Sequence, residues 1–253
     1  MTISEKNWKS YINRLRKLND KAAELMRQYI EKHGTANRKA LIDYAYAIAT
    51  KYGEGSASLA AAMYDAIAEA SGVRIPSAIV AETATYKEVA ITVNGTLKRG
   101  NTDILCDAVG SLVKKAGADT MLQNASRKSD HGKAEFAWIP SGDTCPYCLM
   151  LASNGWQKIS KDTLKGGHAE HIHANCDCNY AVRFTPNGGV RGYDPDAYKK
   201  EFEGAEGDTW EDKLNYLRRQ QYAENKDEIN AQKRAAYAER KQREREGQPT
   251  TTN

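Results

Sequence analysis

A chain of 253 residues is long enough for one large domain, or for a core domain with helical extensions. Its 40% apolar and 28% charged residues, with a mean hydropathy of -0.72, argue against a purely compact enzyme body and for long exposed helices beside a modest core. The net charge of +4 permits contact with nucleic acid without demanding it, and no apolar run reaches the roughly 18 to 20 residues of a membrane-spanning helix.

The start of the chain, Met1 to Lys9, is polar and lacks the apolar centre of a secretion signal. The expectation is a protein made and kept in a cytoplasm, or one that leaves it by another route, such as inside a particle. Trp8, Tyr11, Leu15, Leu18, Ala22, Leu25 and Tyr29 then recur at alternating steps of three and four. That is the seam of a long amphipathic helix, ended at Gly34. The seam could pack on the chain's own helices or dock on another subunit.

A second helix is predicted over Arg38 to Lys51, stopping at Gly53-Glu54-Gly55, and a third over Ser58 to Ser71, stopping at Gly72. Pro76 suits the first position of a fourth helix running to about Val93, although β-branched residues in it favour helix less. Asp103 to Lys115 and Ala118 to Ser126 complete the set. Cys106, alone in this stretch, reads as a small buried hydrophobe. Residues 1–128 thus read as a helical module.

The texture changes at Ser129. Ala134 to Ile139 is a predicted strand with Phe136 and Trp138 on one face, and Pro140-Ser141-Gly142-Asp143 is a tight turn. Cys148 to Ala152 reads as a short helix, and Trp156 to Ile159 and Cys178 to Phe184 as further strands. Residues 129–190 form a small α+β unit in this reading. Asp194-Pro195 then caps a helix bearing Tyr198 and Phe202, and Thr209 caps another bearing Leu214, Leu217 and Tyr222. Beyond Asn225 the chain is a solvated helix or a disordered tail, so residues 191–253 are a charged extension. The expected fold class is mainly α, with a small α+β zinc-knuckle unit.

Chemistry concentrates between residues 145 and 178. Cys145-Pro146-Tyr147-Cys148 is followed by His168, His171 and His173 and then by Cys176-Asp177-Cys178. Zinc takes four nitrogen or sulfur ligands in a tetrahedron. A C-x-x-C turn can supply two, and Pro146 stiffens it. The later cluster offers His173, Cys176 and Cys178, one more than a closed site needs. The candidate ligands are therefore Cys145, Cys148, His173, Cys176 and Cys178, and the choice among the last three stays open. A structural Zn2+ would staple short strands that have little core of their own. Reduced cysteines, a disulfide between the pairs, and a catalytic metal served by Glu170 or Asp177 are the alternatives. Trp138 and Trp156 read as core around the knuckle, and His131 beside Asp130 as a solvated turn residue.

Zinc deaminases carry H-x-E before P-C-x-x-C. Here His168-Ala169-Glu170 follows the cysteine pair and the proline lies inside it, so the order is wrong. Metal-dependent nucleases of HNH-like type also join a cysteine knuckle to histidines. They are the rival enzyme reading, although no second metal-binding half follows Cys178. A single-stranded nucleic-acid module is disfavoured because few aromatics lie between basic residues.

Trp138-Ile139-Pro140-Ser141-Gly142-Asp143-Thr144-Cys145-Pro146-Tyr147-Cys148, then Leu149 to Ser153, then His173-Ala174-Asn175-Cys176-Asp177-Cys178, resembles the phage Mu F-like minor head proteins. The likeness is to the variant found in phages of Gram-positive bacteria. It covers roughly Phe136 to Phe184 in motif and the first 185 residues in layout. The resemblance implies a non-enzymatic virion component that joins the procapsid near the portal in small copy number. Its location would be the capsid interior or the portal vertex. Implied partners are the portal, the major capsid protein or the scaffold, with no membrane and no small-molecule substrate. Some relatives carry C-terminal toxin or enzyme domains. This chain departs there, with a charged extension in which Lys233, Arg234, Arg240, Lys241, Arg243 and Arg245 alternate with acids. A non-specific contact of that extension with packaged DNA is a further expectation.

Overall fold

Helix α1 (Glu5–His33) begins where the Ser4 hydroxyl accepts a hydrogen bond from the Asn7 amide, and it ends at Gly34 with φ 67°. The stop at Gly34 is the expected one. Its buried stripe is Trp8, Tyr11, Ile12, Leu15, Ala22 and Met26. Ile12 and Met26 displace Leu18 and Leu25 of the predicted seam, which stay half-buried. The stripe packs on the chain's own helices α2 (Arg38–Ser71) and α4 (Thr102–Ala125). The computed structural model describes residues 2–98, 102–127, 134–142, 144–160 and 178–245.

Two predicted stops are corrected. Helix α2 runs unbroken through Gly53-Glu54-Gly55, joining what the sequence divides into two helices. These glycines give close approach instead of a turn. A Cβ on Gly53 would lie 3.0 Å from Thr83 Cγ2, and one on Gly55 3.4 Å from Leu18 Cδ1. Likewise α4 passes through Gly117, where a Cβ would lie 2.6 Å from Ser56 Oγ. Small residues let α2 and α4 approach until their backbones nearly touch, so the helix-weakening cost of glycine is offset by packing.

The predicted helix from Pro76 is also corrected. Residues 73–85 carry no helix, and α3 spans only Tyr86–Leu97. It starts at a capping box in which Thr85 and Glu88 bond each other's backbone amides, a T-x-x-E signal that the reading from Pro76 passed over. The strap before it has no strand partner, so side chains satisfy its backbone. Asn124 accepts from the Ile79 amide at 2.8 Å and donates to the Ile79 carbonyl at 2.6 Å. Thr120 accepts from the Ala81 amide at 3.1 Å and Asp65 from the Ala78 amide at 2.8 Å.

The sheet is antiparallel, with β1 (Glu135–Ile139) between β2 (Gln157–Lys158) and β3 (Asn179–Arg183). Trp138 pairs with Tyr180, and Phe136 stands 4.8 Å from Trp138, centroid to centroid. This aromatic face joins Trp8, Leu15, Tyr64 and Met121 in one core cluster, so the sheet shares its core with α1, α2 and α4. A second cluster around Met26, Leu41, Val89, Leu105 and Val113 fills the far end of the helices. Residue 3 is zipped to the chain after β3: the Ile3 amide donates to the Gly189 carbonyl and the Arg191 amide to the Ile3 carbonyl.

Asp194 caps α6 (Pro195–Glu203), with Pro195 in the first turn. Thr209 and Asp212 exchange hydrogen bonds at the start of α7 (Trp210–Arg245). The extension past Asn225 is therefore helix as far as Arg245. The root of α7 is packed, Leu214 being buried, and the helix touches α5 (Pro146–Ser153) and α6. The protein is mainly helical with a small three-stranded sheet. Among the described residues, no helix is long and apolar enough to cross a membrane.

Candidate metal centre

The turn after β1 delivers Cys145 to the N-cap of α5, with Pro146 in the first turn. Cysteine here does the work usually done by serine or threonine: the Cys148 amide donates to Cys145 Sγ at 3.4 Å. The positive end of the helix and that donor both favour the thiolate, the form that binds metal. Antiparallel pairing sets the third thiol. Because Ile139 faces Asn179, β3 starts at the end of the sheet where β1 stops, and Cys178 comes to rest beside the α5 turn. Cys178 Sγ lies 4.0 Å from the Cys148 carbonyl oxygen. Cys148 and Cys178 are 0% and 2% exposed, whereas Cys145 is half-buried.

Three of the five expected ligands are thus brought to one end of the sheet. No disulfide joins any two of the described cysteines. His173 and Cys176 lie outside the described residues, as do His168, Glu170, His171 and Asp177, and also Asp130 and His131. Among the described residues, no three Cys, His, Asp or Glu side chains form a metal-holding group. The donor chemistry still fits zinc: two thiols share one turn, and a third lies against that turn's backbone. Soft sulfur donors in such a setting suit zinc over calcium or magnesium. A fourth ligand from His173 or Cys176 would complete the set.

The surroundings are braced. Arg183 donates to Glu135 across the strands at 2.6 Å and sits 5.0 Å over the Trp156 ring. Tyr193 donates to the Ala152 carbonyl at 2.7 Å, tying the end of α5 to the chain after β3. Burial pushes the Tyr193 phenol up, so it stays a neutral donor. Trp138 belongs to the core, and half-buried Trp156 packs against Tyr193 at its edge. Far away, Cys106 is buried in the helical core, and burial pushes its thiol up to about 11, which keeps it inert.

Two neighbours of the cysteine turn went unseen in the sequence. Arg218 and Gln221 of α7 line an open hollow of about 400 Å³ with Cys145, Pro146 and Tyr147. Burial raises the Tyr147 phenol, and the Arg218 charge opposes that rise. Some seventy positions separate these residues from the turn, and no local pattern links them.

The sequence model described as VG15 protein matches residues 2–205, which takes in the helices, the sheet and α6. Comparison with curated proteins finds no match. Comparison with solved structures finds none either.

Proposed function

The chain belongs to the VG15 protein family, a viral gene-product family that marks it as phage-encoded, and from that premise we propose that it is a structural minor head protein of a tailed bacteriophage. It joins the procapsid near the portal, and its helical module contacts portal, major capsid or scaffold protein. The observation that carries this reading is the enclosure of the cysteine end of the sheet. Cys148 and Cys178 are sealed in the core that the sheet shares with α1, α2 and α4. Such a place suits a cross-link and gives a substrate no approach to those two sulfurs, although Cys145 faces the open hollow beside α7.

Cys145 and Cys148 would hold a structural Zn2+ from the first turn of α5, Cys178 from the head of β3, and His173 or Cys176 would complete the set. Bound zinc would supply a tetrahedral tie between the first turn of α5 and the head of β3. The chain's own part is to place the sulfur donors: Cys145 at the cap of α5, against the amide of Cys148, and Cys178 through the register of β3. No catalysis is assigned to this centre. The charged helix α7 points the remaining length of the chain toward scaffold or packaged DNA.

The test is co-expression with the phage's portal, scaffold and major capsid genes, followed by mass spectrometry of gradient-purified procapsids. The chain should co-sediment in far fewer copies than the capsid protein. Its absence from procapsids and virions alike would overturn the reading. Native and denaturing mass spectrometry of freshly reduced protein should find bound zinc that Cys148→Ser abolishes. Metal-dependent nicking of plasmid DNA, lost in His171→Ala and His173→Ala, would instead establish the nuclease alternative.

A further inference from the structure

A second feature lies away from the cysteines, where α1 passes the zipped segment after β3. Trp8, Ile12, Ile139, Val190, Tyr193 and Tyr198 line a half-enclosed cleft of about 290 Å³. That is near the lower bound of roughly 300 Å³ for small-molecule pockets, and it suits one bulky side chain with its flanking backbone. Trp8 is 5% exposed, and its indole N–H is buried without a hydrogen-bond partner.

The rim of the cleft is basic. Lys9 and Arg191 line it beside Asn13 and Glu5. The exposed face of α1 continues the charge outward through Lys6, Arg14 and Lys17, with Ser10 and Asn13 between them. Glu5 answers only Lys9. Cations in the first turns of a helix lie at the positive end of its dipole, where acids are favoured. A local conflict of this kind, beside an apolar cleft, marks a binding surface better than a stability device.

We propose that this cleft and its basic rim form a docking site for an acidic peptide segment of a partner protein, with one bulky apolar side chain as anchor. The anchor fills the aromatic cleft, and flanking Asp and Glu residues meet Lys6, Lys9, Arg14 and Arg191. The apolar walls favour a peptide over a nucleic acid, whose phosphates would use the rim and leave the cleft empty. The proposal rests on the head-protein reading for its partner class only. Procapsid incorporation tests that reading and peptide binding tests this surface, so the two fail separately.

The experiment is fluorescence anisotropy of the full chain with a labelled Asp/Glu-rich peptide carrying one central Phe. Two control probes are the same peptide with Ala at the centre and a random-sequence DNA duplex at equal salt. The Phe peptide should bind, the Ala peptide about tenfold or more weaker. The surface variant Lys9→Glu/Arg191→Glu should weaken the Phe peptide by about tenfold or more while leaving the melting temperature unchanged. Equal affinity for the Phe and Ala peptides, or no peptide binding at all, overturns the proposal. So does a DNA duplex that binds more tightly than the peptide and is lost in the same charge variant.

Discussion

Helices α2 and α7 are almost equal in length, 34 and 36 residues, and are held by different physics. Helix α2 buries residues from Leu41 to Ala68 and makes the most extensive contact in the molecule with α4. Helix α7 buries Leu214 near its root, and its distal half carries Ile229 as its one large aliphatic side chain. What sustains α7 is local: the Thr209–Asp212 cap, acids in its first turn, and basic residues toward its end, all aligned with the helix dipole. The lesson is that a long helix need not report a core. In α2 the helix is a consequence of burial, and in α7 it is a consequence of composition.

That contrast can be broken at several points. The largest effect is expected from Leu41→Ala, which empties a fully buried position in α2. It should lower stability by about 2–5 kcal/mol in urea unfolding, whereas Tyr222→Ala on exposed α7 should stay within about 0.5 kcal/mol. Next comes Asn124→Ala. It strips both partners from Ile79 of the strap, should cost about 1–3 kcal/mol, and should speed hydrogen exchange at the Ile79 amide. If that exchange is unchanged, the side-chain clamp does not hold the strap. Thr85→Ala removes the α3 cap and should cost about 1 kcal/mol, read as a lower midpoint with an unaltered slope. The smallest global effect belongs to Ala231→Pro in α7. Proline breaks a helix interior at about 3 kcal/mol locally, so circular dichroism should lose helical signal while the melting temperature stays put. A drop in melting temperature would mean that distal α7 is packed after all.

The same contrast explains what could be read early. The end of α1 was legible because Gly34 is a local signal, and so were the caps at Asp194 and Thr209, while the Ser4 cap went unread. The strand alternation of Phe136 and Trp138 was legible for the same reason. Gly53 and Gly117 misled, because a glycine that ends a helix and one that lets two helices touch look alike in sequence. Pro76 misled as well: its fitness for a helix start is local, but Asn124, nearly fifty residues away, holds the strap extended. In the candidate site, the C-x-x-C turn announced itself, while Arg218 and Gln221 did not.

By itself, then, the sequence determined the caps at Asp194 and Thr209, most of the amphipathic stripe of α1, the root of α7 and the C-x-x-C turn. These depend on neighbours within a turn or two along the chain. Only the tertiary structure decided that α2 and α4 run through their glycines, that residues 73–85 are a strap, and that Cys178 meets the Cys145–Cys148 turn. Each of those rests on a contact between distant segments, where packing and backbone hydrogen bonding outweigh propensities worth less than about 1 kcal/mol per residue.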